Sequence, residues 1–186
     1  MSTMPLQQAI AVSQSVLANV TPDQLDLPTP CASWKVSDLI NHMVGAHHFF
    51  AAGLAGQPPS PPTADFAAGD FVAAFNDAAA ADLAAFSADG VMEKMYKLPF
   101  GEMPGAAFAG LAASDTFTHA WDLAKATGQS TDLAPELAEA LLAAARMSIP
   151  EAFRGPEGKA PFGSVTEAPT GATNADQLAA FLGRAV

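Results

Sequence analysis

Apolar residues recur every three to four positions along most of the chain, which is the spacing of one helix face. Leu6, Ile10, Leu17 and Val20 follow it in the first such stretch, where Pro5 suits the first turn of a helix. The pattern predicts helices at 4–20, 36–54, 69–87, 104–127 and 135–147, and a short one capped by Asn174. We therefore predict an all-α protein.

The segments between these helices lack the periodicity and are rich in proline and glycine. Residues 55–65 are expected to form a Pro-rich linker, and 91–105 a short extended segment that ends in a turn. Residues 149–173 are expected to be mostly loop. Three apolar residues are expected to hold this loop on the domain: Phe153, Phe162 and Val165. The predicted architecture is one domain over 1–186, a helix bundle with a long irregular tail.

The composition narrows the classes of function. Half of the 186 residues are hydrophobic, many of them alanine, which favours closely packed helices. The formal net charge is −11, so nucleic acids and anionic membrane surfaces are not expected as partners. A single cysteine, Cys31, excludes an internal disulfide. No signal peptide or membrane-spanning stretch is evident, so a cytoplasmic protein is expected. The Ala-rich third helix is compatible with either a monomer or a homodimer.

The fourth predicted helix carries a line of polar residues where its apolar face should continue. At about 100° per residue, His119 lies about 40° to one side of Asp115, and Asp122 lies about 20° to the other. Leu111 and Phe108 lie on the same stripe, one and two turns earlier. The opposite side is also apolar, so we expect a central helix whose polar stripe lies inside the bundle or lines a cleft.

The second predicted helix has a histidine in a similar setting. His42 shares its face with Leu39 and Phe49, so its imidazole is expected to point inward. His47 and His48 point away from that face and are expected at the surface or at the rim of a site. The sequence thus predicts one inward imidazole on this helix.

Three interpretations of these polar residues stay open from spacing alone. Asp115 and His119 could form an ordinary ion pair on a solvated face. Asp115, His119 and Asp122 could instead form a buried network without catalytic chemistry. The third interpretation is a metal site, with two ligands four residues apart on one helix and His42 from a facing helix. Imidazole and carboxylate groups are ligands for zinc, nickel or iron.

Three sequence blocks resemble a known family. They are "TPCASWKVSDLINHMVGAHHFF" (29–50), "LPFGEMPG…SDTFTHAWDLAKATGQ" (98–129) and "FG…NADQLAAFLGR" (162–184). Together they resemble the DinB-like superfamily, in its actinobacterial branch related to the N-terminal domain of mycothiol-dependent maleylpyruvate isomerase. The resemblance implies an up-down-down-up four-helix bundle, here with an extra C-terminal helix and a long irregular tail.

The resemblance also implies a divalent metal ion held by His42, Asp115 and His119, with zinc expected first and nickel or iron as alternatives. The isomerase has Glu where this chain has Asp115, so the shorter carboxylate must reach the metal from the same helix or through water. Asp122 would either orient a ligand imidazole or cap the loop before the second helix.

The implied activity is that of a metal-dependent thiol transferase or thiol-dependent isomerase. Mycothiol or a similar low-molecular-weight thiol would be the cosubstrate, together with a small-molecule substrate, and a metal-bound water or thiolate would be the reactive group. The chain has no room for the isomerase's second domain and few arginines to hold a dicarboxylate, so maleylpyruvate itself is not expected as the substrate.

Other residues and functions also have two interpretations. Cys31 is expected to be a small buried hydrophobe, with a reactive thiol near the second helix as the alternative. Trp34 and Trp121 are expected in the core. The alternatives to an enzyme are a non-catalytic module that binds a small molecule or metal, and a structural protein with a buried Asp–His–Asp network.

Overall fold

The computed structural model describes residues 2–31, 33–58, 64–156 and 158–186. Within them lie six α-helices and one β-hairpin: α1 (Met4–Leu17), α2 (Val36–Leu54), α3 (Phe71–Phe86), β1 (Met95–Leu98), β2 (Gly101–Pro104), α4 (Gly105–Ala126), α5 (Pro135–Ser148) and α6 (Asn174–Phe181). None of these helices combines the length and the apolar character that a membrane crossing requires. The predicted linker at 55–65 lies partly outside the described residues.

Helix α4 lies at the centre of the fold, as its two apolar sides predicted. Every residue from Thr116 to Ala124 is buried, because α4 packs against α1, α2 and α6. Helix α3 packs on α2, and α5 packs on α6. Buried apolar side chains from all six helices form one core cluster. The polar residues of α4 therefore lie in the interior of the protein, because the core surrounds this helix.

The predicted helices are all present, but the strictly all-α prediction is wrong. Residues 91–105 contain β1 and β2, which pair antiparallel with Tyr96 opposite Met103. The short strands have little periodicity of their own, and their pairing stabilises them. Directly after the hairpin, Gly105 lies so close to Val91 that a Cβ there would overlap the Val91 carbonyl. This close approach holds the first turn of α4 against the segment that precedes the hairpin.

Most helix ends lie within two residues of the prediction, but the end of the first helix and the cap of the last helix differ from it. The first helix ends at Leu17 rather than 20, because the next backbone hydrogen bonds tighten into a turn, with the Val20 amide donating to the Leu17 carbonyl. The last helix is capped by Thr173, whose side-chain oxygen accepts a hydrogen bond from the Asp176 amide, and not by Asn174.

The described residues of 149–173, which leave out 157, are irregular apart from a short 3-10 helix at Glu151–Phe153. Phe162 packs against the core as predicted, but Phe153 and Val165 are half exposed and do not anchor the segment. The buried guanidinium of Arg154 anchors it instead, because its Nη1 donates to two main-chain carbonyl oxygens, those of Gly163 and Phe181. The segment has too few buried apolar residues to anchor it, so hydrogen bonds from a charged side chain hold it instead.

After α6 the chain turns back towards α4. Gly183 has φ +92°, a conformation that favours glycine, and a Cβ at this position would lie 2.6 Å from the Cα of Gly163. The Thr166 hydroxyl donates to the carbonyl oxygen of Arg184, and the Arg184 amide donates to the carbonyl oxygen of Ala179 at 2.9 Å. This turn fixes the backbone of Arg184 beside the central helix.

Candidate metal centre

Side chains from α2 and α4 converge where these two helices face each other. His42 comes from α2, and Asp115 and His119 come from successive turns of α4. The Oδ1 atom of Asp115 lies 3.7 Å from Nε2 of His42 and 3.6 Å from Nε2 of His119. One ligand atom from each residue lies within 4.8 Å of the other two. The structure therefore brings together the three residues predicted as metal ligands; we name this group the Nε2 set.

The spacing of the Nε2 set fits a shared metal ion better than direct hydrogen bonds. Distances of 3.6 and 3.7 Å are too long for good hydrogen bonds between these atoms. Ligands about 2.0–2.1 Å from a tetrahedral zinc ion lie roughly 3.3 Å apart, which is close to the observed spacing. Nε2 of His42 is buried and has no hydrogen-bond partner among the described residues. Such an atom fits a metal ligand, because an unpaired buried nitrogen is otherwise costly.

Trp34 lies over the Nε2 set, although it was expected in the core. Its ring centroid is 4.7 Å from that of His42 and 5.8 Å from that of His119, and the side chain is only partly buried. Trp121 does lie in the core, where its Nε1 donates to Asp176. The loop before α2 therefore supplies an aromatic wall for the two imidazoles.

Asp122 lies on the other side of the His119 ring. Its Oδ2 atom is 3.0 Å from Nδ1 of His119, and Arg184 donates to both Asp122 oxygens, from Nε at 3.2 Å and from Nη2 at 3.0 Å. The carboxylate is fully buried. Of the two interpretations of Asp122, this geometry favours the one that orients an imidazole. In a neutral ring, the proton then resides on Nδ1 and leaves Nε2 free as a ligand.

Cys31 also lies beside Asp122. Its sulfur is 3.5 Å from Oδ2 of Asp122 and 3.9 Å from Nη2 of Arg184, and the residue is partly buried. These charged neighbours differ from the apolar surroundings expected for a small buried hydrophobe. Cys31, His119 and Asp122 form a second group of three donors within 4.8 Å of one another; because Nδ1 is the His119 nitrogen beside Asp122, we name it the Nδ1 set. The two sets share the His119 ring and use opposite nitrogens of it.

The carboxylates determine the protonation of His119. Burial would lower the pKa of His119, but Asp115 and Asp122 outweigh burial and raise this pKa to about 10. Burial would raise the pKa of Asp122, yet His119 and Arg184 bring it down to about 2. For Asp115, His119 and His42 likewise outweigh burial and lower the pKa. Without a metal ion His119 is therefore protonated at neutral pH. To bind a metal ion through Nε2, it must release the proton on that nitrogen.

A second buried histidine was missed from the sequence. His47 was predicted at the surface or rim, but it is 1% exposed and its Nδ1 lies 2.8 Å from Oδ2 of the fully buried Asp82. The prediction is wrong because it assumed one buried face for α2, whereas α3 covers the other side. An acidic residue in an apolar run of α3 was the available signal. His48, by contrast, is exposed as predicted.

Arg184 was missed as well, because no local pattern connects it to α4. It lies 62 residues after Asp122 in the sequence and reaches it only through the turn at Gly183. Its side chain is 15% exposed. Burial would lower the pKa of Arg184, but the Asp122 carboxylate raises it, so the guanidinium stays charged. A fixed positive charge therefore borders the Nδ1 set.

Comparison with known proteins identifies the family. The model of the mycothiol maleylpyruvate isomerase N-terminal domain matches residues 6–124. The chain belongs to this family. The matched range of the family domain contains the whole Nε2 set and Asp122, whereas Arg184 lies beyond it. The resemblance noted in the sequence is thereby confirmed.

Two relatives match almost the whole chain. Both are Mycobacterium tuberculosis proteins that are named uncharacterized, one from strain CDC 1551 / Oshkosh and one from strain ATCC 25618 / H37Rv. Each is 49% identical over 185 residues, which cover 98% of this chain and 97% of the relative. No solved structure matches the chain.

Proposed function

We propose that this protein binds a divalent metal ion through His42, Asp115 and His119 and acts on a low-molecular-weight thiol. Zinc is the proposed metal, mycothiol or a similar thiol the cosubstrate, and thiol transfer or thiol-dependent isomerisation the reaction class. The observation that carries the proposal is the convergence of three donor atoms, with Nε2 of His42 left without a partner among the described residues. The family adds the link to mycothiol.

The residues of the chain suit this chemistry in three ways. Asp122 holds Nδ1 of His119, so Nε2 faces Asp115. Asp115 approaches both imidazoles, so the shorter side chain is long enough to join the set. The side chains of His42 and Asp115 are 34% and 26% exposed, so the set lies near the surface although Nε2 of His42 itself is buried. A bound zinc ion would supply Lewis-acid chemistry that stabilises a thiolate, the nucleophilic form of a thiol.

The first experiment measures metal binding. Zinc titration by calorimetry of chelator-treated protein should give one site, lost in His42→Ala and retained in His48→Ala, which removes an exposed histidine of the same helix. Protein purified without added metal should contain a divalent ion by elemental analysis. Absence of zinc binding, or full binding by His42→Ala, would contradict the metal site.

The second experiment tests turnover. The metal-loaded protein is offered mycothiol with a panel of electrophilic substrates, and product is followed by mass spectrometry. Product with wild type but not with His42→Ala supports the enzyme. Thiol binding without any product across the panel would instead support the alternative, a non-catalytic binding module.

A further inference from the structure

We propose that Arg184 decides which of the two donor sets around His119 can hold a metal ion, by occupying the Nδ1 set with its guanidinium. The inference rests on the proposed function in one respect, namely that the Nε2 set is the site that binds metal. Its own content is that the Nδ1 set is a latent metal site, closed by a residue outside the range that the family model matches.

The donor types of the Nδ1 set would suit a metal ion, so a reason is needed why this set should not bind one. It offers a thiol, an imidazole and a carboxylate, with ligand atoms within 4.8 Å of one another. Thiolate and imidazole are strong ligands for zinc and related ions. The Nδ1 set is also more buried than the Nε2 set, since His119 and Asp122 are both buried. By donor type alone it would compete with the Nε2 set for the metal.

Arg184 should prevent the Nδ1 set from competing with the Nε2 set for the metal ion. Its guanidinium donates to both oxygens of Asp122, and its Nη2 lies 3.9 Å from the sulfur of Cys31. A metal ion in the Nδ1 set would have to replace these hydrogen bonds and lie beside a second positive charge. Arginine stays protonated in proteins, so it cannot yield by losing a proton. Among the described residues, no arginine or lysine side chain forms an ion pair with Asp115 of the Nε2 set, whose ion-pair partners are the two imidazoles.

The backbone of Arg184 is held in place, which makes displacement difficult. Its amide donates to Ala179, its carbonyl oxygen accepts from Thr166, and the preceding Gly183 packs against Gly163. The guanidinium also donates from Nη1 to the carbonyl oxygen of Leu182. The turn at Gly183 therefore fixes the position from which the Arg184 side chain contacts Asp122.

The test uses cobalt(II) as the metal, because thiolate ligation gives cobalt an intense near-ultraviolet charge-transfer band. Wild type should bind cobalt without this band. Arg184→Met should show the band, and adding Cys31→Ser to that variant should remove it. Arg184→Lys, which keeps a positive charge, should stay without the band. Arg154→Met is the matched control, since Arg154 anchors the same tail through main-chain carbonyls and contacts neither donor set.

Three results would overturn the inference. One is a folded Arg184→Met protein that binds cobalt without the band. The other two need no Arg184 variant: a wild-type band that Cys31→Ser abolishes, and a tenfold or greater loss of cobalt affinity in Cys31→Ser alone. If wild type binds no cobalt while Arg184→Met binds it with the band, the latent site closed by Arg184 is supported and the proposed function fails. Cysteine alkylation gives a second readout, because cobalt should protect Cys31 in Arg184→Met only.

Discussion

The metal-free protein should lose stability as the pH rises above neutrality. His119 has a pKa of about 10 in the folded protein, whereas an unperturbed histidine titrates near 6.5. A raised pKa stabilises the folded state fully below about pH 6.5, and this stabilisation is lost as the pH rises through about 10. Between pH 7 and 9 the folded protein keeps a proton that the unfolded chain has released. The free energy of unfolding should therefore fall by about 1.4 kcal/mol per pH unit, or roughly 2–3 kcal/mol in total.

A loss of that size is a large part of the roughly 5–15 kcal/mol that stabilises a typical domain, so urea unfolding can measure it. The assay follows unfolding of chelator-treated protein at pH 6, 7, 8 and 9. His119→Gln should be less stable overall but should lose this slope, and His48→Gln should keep it. Saturating zinc should remove the slope in wild type, because a ligating imidazole is neutral. A flat wild-type profile from pH 7 to 9, or the same slope in His119→Gln, would refute the reasoning.

Two further predictions concern packing outside the two donor sets. Gly105→Ala should destabilise the protein by about 1–3 kcal/mol, because its Cβ would overlap the Val91 carbonyl. Gly110→Ala in the same helix meets open space and should stabilise by about 0.5–1 kcal/mol; equal effects in urea unfolding would contradict this contrast. His47→Leu should cost about 3–5 kcal/mol by leaving Asp82 buried and unpaired. Adding Asp82→Leu should recover part of that loss, and a double variant less stable than His47→Leu would argue against a paired role.

The residues that could be predicted from the sequence are those whose neighbours are local. Asp115 and His119 share one helix face, and helical periodicity places such residues correctly without any tertiary information. His42 followed from the same argument on a second helix. That His42 faces Asp115 required an assumption about how the helices pack, and the family resemblance supplied it.

The features that were missed depend on contacts between distant parts of the chain. His47 was misplaced because one helix was given one buried face, while α2 has neighbours on both sides. Arg184 reaches Asp122 through a turn after another helix, and no spacing rule covers that path. The extended segment at 91–105 was predicted, but its pairing into a β-hairpin was not, because strands of four residues are stabilised by their partner and their own pattern is too short to identify.

The His47–Asp82 pair has a consequence for the angular setting of α2. His42 and His47 leave this helix about 140° apart, so any rotation of α2 about its axis moves both imidazoles together. Such a rotation would pull His47 from Asp82 and away from the Phe75 ring, 5.0 Å from it, and leave a buried carboxylate unpaired. The pair thus restrains the rotation of α2 about its axis, and it fixes the direction from which His42 approaches Asp115. If the proposed site binds metal, substitutions on α3, which contributes none of the proposed ligands, should alter metal affinity before they unfold the protein.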